Sequence, residues 1–337
     1  MGGSVSIPAL KAEVNERARA FAWAQWSQMG VLARAERRDP WAIDPEALLL
    51  FSLEVGRDDP RLFDEVLDWV VVNERLVSVR RLRNLARDDA DRALVGAVLT
   101  WLVRWRPRAR LTAKGGADET GAGEAQPLFR SISTPIREPD EAFLAHGLLK
   151  ARVEPRGYSQ LPDTSLPVNF AFLMRNLLGV GARAEVTRVL LGVDAPRVSV
   201  QVVAESAGYA KRNVHEALAS LVAARVVDVV TLGNEQRFSA PRERWAALLE
   251  MPSSELPSHC TWPAVLLALR RLSRWLADPR TEELSDYMRA SAARQLVDEI
   301  GPWLRFAGVP VVDGGASGAG YWDDFVITVR GALDAIS

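Results

Sequence analysis

The sequence predicts a mainly α protein with a small β-hairpin near the middle of the chain. Apolar residues recur at three- and four-residue spacing through most of the 337 residues, which is the period of a helix with one buried face. Between 182 and 224 two helix-sized segments and a shorter one between them follow closely, with Gly208 at the second joint. Directly after them 226–231 alternates and is rich in branched residues, and Leu232-Gly233-Asn234 offers a turn before 235–239, the pattern of two paired strands.

Bulk properties narrow the class. Hydrophobic residues at 48% and charged residues at 25% suit a globular chain long enough for two or three cores. The formal net charge of −1 gives no overall attraction to polyanions, so contact with nucleic acid must come from a local patch. A single cysteine, Cys260, excludes an intramolecular disulfide and every zinc pattern that needs two thiolates. No basic segment followed by an apolar run opens the chain, and no stretch of about eighteen apolar residues follows. The expectation is a cytoplasmic protein without metal, cofactor or membrane contact.

Taken in order, 9–38 reads as one long helix carrying Phe21, Trp23, Trp26 and Val31. Asp39-Pro40 and Asp44-Pro45 interrupt the pattern, because proline disfavours helix in the residue before it and suits a first turn. Helices are expected at 46–54, 61–73, 78–87 and 90–105, forming one bundle, so that 1–106 is an N-terminal helical domain. Residues 107–127 contain almost nothing large and apolar and read as a linker or surface loop. Residues 128–167 form an irregular connector in which Phe143, Leu144, Leu148, Leu149 and Leu161 need burial. Helices follow at 169–178 and 182–191. Beyond the hairpin, Pro241 opens a helix with Trp245, Leu248 and Leu249. A C-terminal helical region, 257–337, has helices at 262–276, 281–306 and 322–336 and a glycine-rich loop at 313–320.

The central segment carries the functional argument. Val186, Val189, Leu190 and Leu191 form a buried stripe, Ser199 caps a short second helix containing Val202, Val203 and Ala204, and Gly208 suits a left-handed helix end. On the third helix Val214, Ala217, Leu218, Leu221 and Val222 share one face, with Arg212 and Glu216 opposite. Helix, helix, glycine turn, a helix ending in Leu-Val-Ala-Ala, then a hairpin: in that order 183–239 resembles the winged helix-turn-helix DNA-binding superfamily, in the broad style of MarR and ArsR regulators. The fold class expected is therefore a central winged helix-turn-helix, 168–250, with a small β-hairpin wing, flanked by helical domains. The resemblance covers under a fifth of the chain, and it departs at Arg225, where such proteins commonly have glycine.

The resemblance implies that Tyr209, Lys211, Arg212, Asn213 and His215 face the major groove or its phosphates, while Asn234, Gln236 and Arg237 reach the backbone or minor groove. By their chemistry, Arg212 can pair with guanine O6 and N7, and Asn213 with adenine N6 and N7. Against this stand seven basic and six acidic residues within 183–239, a net of +1. The expectation is a transcriptional regulator that binds double-stranded DNA as a homodimer and is not an enzyme. Two alternatives stay open: a partner-binding antitoxin or defence-operon component of the AbiEi type, paired with a protein from its own operon, and an enzyme with an unrecognised site.

Other clusters read more plainly. Arg80, Arg81, Arg83 and Arg87 suit a solvated helix face pairing with Asp88, Asp89 and Asp91. The eleven tryptophans suit packing. His259-Cys260 reads as packing, because neighbouring residues seldom aim at one atom. The doublets Asp58-Asp59, Asp88-Asp89 and Asp323-Asp324 sit where carboxylates favour helix starts.

Overall fold

The computed structural model describes residues 5–31, 39–106, 124–131, 135–193, 195–312 and 318–337, and over these the chain is mainly helical. Helices begin where the sequence supplies caps. α1 (Ile7–Gln28) starts at Ser6, α2 (Pro45–Val55) at Asp44, α3 (Pro60–Val72) at Asp59, α4 (Val79–Leu85) at Ser78 and α5 (Asp89–Trp105) at Asp88. In each, the side-chain oxygen accepts an N–H that the first turn would leave unpaired, worth about 1 kcal/mol.

α1 stops well short of the single helix expected over 9–38. Gly30 ends it with φ +102°, and a Cβ there would lie 2.5 Å from the Gln160 carbonyl oxygen. The Gln160 N–H also donates to the Gly30 carbonyl at 2.8 Å. Only glycine allows both the angle and the approach. Residues 32–38 lie outside the described residues, as do 107–123, which hold most of the expected linker, and most of the 313–320 loop.

β1 (Gln126–Pro127), at the end of the expected linker, pairs in parallel with β2 (Leu148–Leu149) of the connector, and the single turn of α6 (Glu141–Leu144) lies between them in the chain. Two residues per strand are too few for any alternation to show. Phe143 and Leu148 find places in the core, whereas Leu144 and Leu161 remain exposed.

The chain continues through α7 (Phe170–Leu178), α8 (Ala182–Gly192), β3 (Val198–Ser199), α9 (Val200–Ala207), α10 (Lys211–Ala223), β4 (Asp228–Leu232), β5 (Glu235–Ser239) and α11 (Arg242–Leu249). It closes with α12 (Trp262–Ala277), α13 (Pro279–Glu282), α14 (Asp286–Phe306) and α15 (Tyr321–Asp334). α13 and α14 replace one helix expected over 281–306, because Ser285 turns extended and caps α14 by accepting the Met288 N–H.

The N- and C-terminal helical segments, expected as separate domains, share one core. It contains Leu10 and Phe21 of α1, Leu48 and Phe51 of α2, Leu269 and Leu272 of α12, and Trp322 and Phe325 of α15. α2 explains the union: it is buried on every side, Glu46, Ser52 and Glu54 included, so it needs cover from more helices than its own end of the chain supplies. Phe21 and Trp262 meet with ring centroids 5.3 Å apart, and the Trp322 indole donates to the Val5 carbonyl at 2.6 Å. A second core lies under α7 to α11, built from Val186, Val189, Val203, Val214, Leu218, Phe238 and Trp245.

Candidate nucleic-acid interface

The second core sets which side of α10 is free. Val214, Ala217, Leu218 and Leu221 are buried on it and Val222 packs at its edge, while Lys211, Arg212, His215, Glu216, Ala219 and Ser220 face outward. α9 ends at Gly208, which adopts the left-handed φ 67°, ψ 33°, and α10 begins after Ala210. β3, β5 and β4 form one antiparallel sheet in that order, with Val198 opposite Phe238 and Val229 opposite Phe238 on the other side. β3 escaped the sequence reading, since Val198-Ser199 is also the lead-in to a helix cap. Between β4 and β5, Gly233 takes φ +61° in a two-residue turn with Asn234. Trp245 of α11 closes the unit by donating its indole N–H to the Val226 carbonyl at 2.8 Å.

Arg225, between α10 and β4, adopts φ 61°. The position where the resembled family commonly has glycine thus takes a glycine-like conformation here with a side chain in place. Its carbonyl accepts from Arg244, which also pairs with Asp228 at 2.8 Å.

Among the eight residues expected to face DNA, Lys211, Arg212 and His215 lie exposed on α10, Asn213 is half-buried, Asn234 and Gln236 are exposed on the hairpin, and Arg237 is half-buried on β5. Tyr209 departs. It is 7% exposed and points inward, its hydroxyl 3.2 Å from the Ser78 hydroxyl oxygen of α4. The glycine turn that would present it outward lies against the helical body, which claims the ring; burial pushes its pKa up. Three of the outward cations are already paired locally: Arg212 with Glu216 at 3.1 Å, Arg237 with Glu235 at 2.8 Å and Arg244 with Asp228.

What holds this unit to the body is a buried ionic joint. Asp44 and Glu46 at the start of α2, Arg81 of α4, Arg175 of α7, and Glu185 and Arg188 of α8 are each at most 1% exposed at their side chains. Arg81 forks onto Asp44, reaches Glu46 at 2.8 Å, and donates its Nε to the Ala207 carbonyl at the end of α9 at 2.6 Å. Arg175 bridges Glu46 at 2.6 Å and Glu185 at 2.6 Å, and Arg188 bridges Glu185 at 3.0 Å and Asp44 at 3.1 Å. Burial alone would push the carboxyls of Asp44 and Glu185 up, but the facing guanidiniums outweigh it and hold both below the usual carboxylate range.

Arg81 therefore departs from the solvated face expected for 78–87. Only Arg80, Arg83 and Arg87 of that group are exposed, and Asp88 and Asp91 pair with Arg274 of α12 instead. The joint had a sequence signal: Arg175 directly follows the apolar run Phe172-Leu173-Met174, and Glu185 and Arg188 adjoin the apolar stripe of α8, positions that a charged residue occupies only with a partner.

His259 lies against this joint, its N–H donating to the Gly192 carbonyl at 2.9 Å and neither ring nitrogen partnered. Burial first, and then Arg188, push its pKa down to about 3, and burial pushes the Cys260 thiol up to about 12. The unfolded chain takes up a proton at His259 near pH 6.5, whereas the fold resists until about 3. Stability tied to His259 is thus intact above that range and falls as pH falls through it. Between pH 7 and 5 the native chain is expected to lose about 2 kcal/mol more than His259→Phe in urea unfolding. Parallel losses in the two proteins would remove His259 from the account.

Among the described residues, no group of three or more histidines, cysteines or carboxylates is placed to hold a metal ion, and no helix is long and apolar enough to cross a membrane. No family model, curated protein or solved structure matches the chain.

Proposed function

We propose that residues 168–250 are a winged helix-turn-helix and that the protein is a non-enzymatic DNA-binding regulator. The observation that carries the reading is the outward face of α10: Lys211, Arg212 and His215 stand free of the body, followed by small residues, beside a hairpin whose tip holds Asn234. α10 enters the major groove with its first turns, and the hairpin tracks the adjoining backbone. Arg212 must exchange Glu216 for a base or phosphate, and so exposed a pair yields readily, being worth roughly 0.3–0.5 kcal/mol. Two copies on a two-fold site complete the proposal.

Salt tests both parts. Each phosphate contact releases counterions, so a protomer making about four contacts loses on the order of a hundredfold in affinity between roughly 50 and 200 mM salt, and a dimer making about eight loses on the order of ten-thousandfold. Titration of the full chain against its own upstream DNA across that range is expected to give the steeper slope. Binding that ignores salt, or none to any genomic fragment, overturns the reading. The second reading, a protein-interaction module, is favoured by the three cations that pair within their own surface; it predicts the same exposed face with no DNA affinity at low salt.

A further inference from the structure

The hairpin ends its sheet on an open edge. β4 lies outermost in the order β3, β5, β4, and among the described residues nothing pairs with its outer side. Its register with β5 runs unbroken from Asp228 opposite Ser239 to Leu232 opposite Glu235, so no bulge bends it. It holds no proline or lysine, and its one charge, Asp228 at the start, is already tied to Arg244 at 2.8 Å. Those are the devices that blunt an edge, whose bare N–H and C=O groups are otherwise a template for another strand. β4 keeps its capacity to pair: Val229, Val230 and Thr231 are all branched, and Val229 and Leu232 are 37% and 57% exposed.

The free groups follow from the ladder. Leu232 and Glu235 close a two-residue turn and exchange both of their hydrogen bonds, and such pairs alternate along antiparallel strands. Asp228 and Val230 therefore direct their N–H and C=O to β5, while Val229 and Thr231 point theirs outward. An incoming antiparallel strand must offer outward groups at the same spacing, with branched side chains to lie beside these. β4 itself is such a strand.

We propose that this edge is a homodimer interface, in which β4 pairs antiparallel with the partner's β4 about a two-fold axis at Val230. Val229 then exchanges hydrogen bonds with the partner's Thr231, and Thr231 with the partner's Val229. An axis at Val229 would call instead on Val227, which is buried in the second core, and an axis at Thr231 on Gly233 in the turn. With the axis at Val230, Asp228 lies opposite the partner's Leu232, so no like charges face each other. Leu232 of each copy reaches the open groove of about 610 Å³ beside the start of the partner's β4, lined by Val222, Arg225, Val227, Val229 and Arg244. This specifies the two-copy part of the reading above and is measured without DNA, so the two fail separately.

A contact of one short strand per copy is small, so the expected Kd is on the order of 10–100 µM. Sedimentation equilibrium of the full chain across that range is expected to show monomer and dimer in exchange. Thr231→Pro deletes an outward N–H and spares the ladder to β5. Val230→Glu sets two carboxylates face to face on the axis. Both are expected to keep the native melt and to weaken dimerisation at least roughly tenfold. Val230→Cys reports the register. Facing itself in a non-hydrogen-bonded pair, with Cα atoms about 4.5 Å apart, it is expected to form a disulfide under diamide, which takes up the two thiol hydrogens, whereas Leu232→Cys is not. A native chain that stays monomeric throughout, dimerisation undiminished in folded Thr231→Pro and Val230→Glu, or cross-linking that is equal for Val230→Cys and Leu232→Cys each overturns the proposal. A dimer lost in these variants, from a native chain with no affinity for DNA, supports it and overturns the DNA reading alone.

Discussion

Replacing Arg175 by methionine is expected to destabilise the protein by about 3–5 kcal/mol at neutral pH, read as a lower urea midpoint. Methionine fills a similar volume, so the loss comes from charge. Arg175 is 1% exposed and stands between Glu46 and Glu185, 2.6 Å from each. Removing it leaves three buried carboxylates, Asp44, Glu46 and Glu185, facing two guanidiniums where three balanced them. The pH dependence gives the cause away. In the native protein Glu185 is held below its ordinary range by Arg175 and Arg188 despite burial, so its contribution is present above that range and lost as pH falls through it. In the variant, burial is opposed by less charge, so Glu185 protonates at higher pH and the deficit shrinks in mild acid. Glu185→Gln in the same background should recover part of the loss at neutral pH, since it removes the orphaned charge. A cost below about 1 kcal/mol, or one that does not change with pH, would show that the joint is not held by charge.

That joint also decides how α9 and α10 sit on the body. Arg81 grips the last carbonyl of α9 while its other donors hold the start of α2, and Tyr209, one residue past the glycine turn, meets Ser78. One end is the backbone carbonyl of Ala207 or the ring of Tyr209 and the other lies on α2 or α4, so the seat of α9 and the turn into α10 is tied to the core of the body. The same contacts explain what the sequence could and could not disclose. Helix starts were legible because a cap acts within three residues: Asp44, Asp59, Ser78, Asp88 and Ser199 all accept the N–H that their spacing predicts. The apolar faces of α8 and α10 were legible because their periods are local.

Tyr209 was not legible, since an aromatic residue after a glycine turn takes its environment from whatever packs there, and that partner lies 131 positions away. Gly30 likewise ends α1 through Gln160, and the shared core of α2 and α12 joins residues from opposite ends of the chain. None of these distant contacts leaves a period to read. The outward side of α10 was legible at Arg212 and Glu216 because the helical wheel needs only its buried side to be known.

Two substitutions on α10 separate the face from the fold. Leu218 is fully buried among the residues of the second core, so Leu218→Ala is expected to cost about 2–5 kcal/mol of stability through the lost burial and the cavity it leaves. The side chain of Arg212 is 89% exposed and pairs with Glu216, itself 65% exposed. Arg212→Ala should therefore leave stability within about 0.5 kcal/mol of the native chain. On the proposed reading it also removes about 1–3 kcal/mol of specific DNA binding, a loss of roughly five- to 150-fold, concentrated at the base that Arg212 contacts. Thermal melts followed by titration of the folded variants against a bound fragment distinguish the cases. If Arg212→Ala melts like the native protein and binds DNA as tightly, the outward face of α10 is not the reading surface, and the interaction-module reading takes its place. If Leu218→Ala is harmless to the melt, the packing of α8 against α10 is wrong as well, and with it the geometry that presents Lys211 and His215.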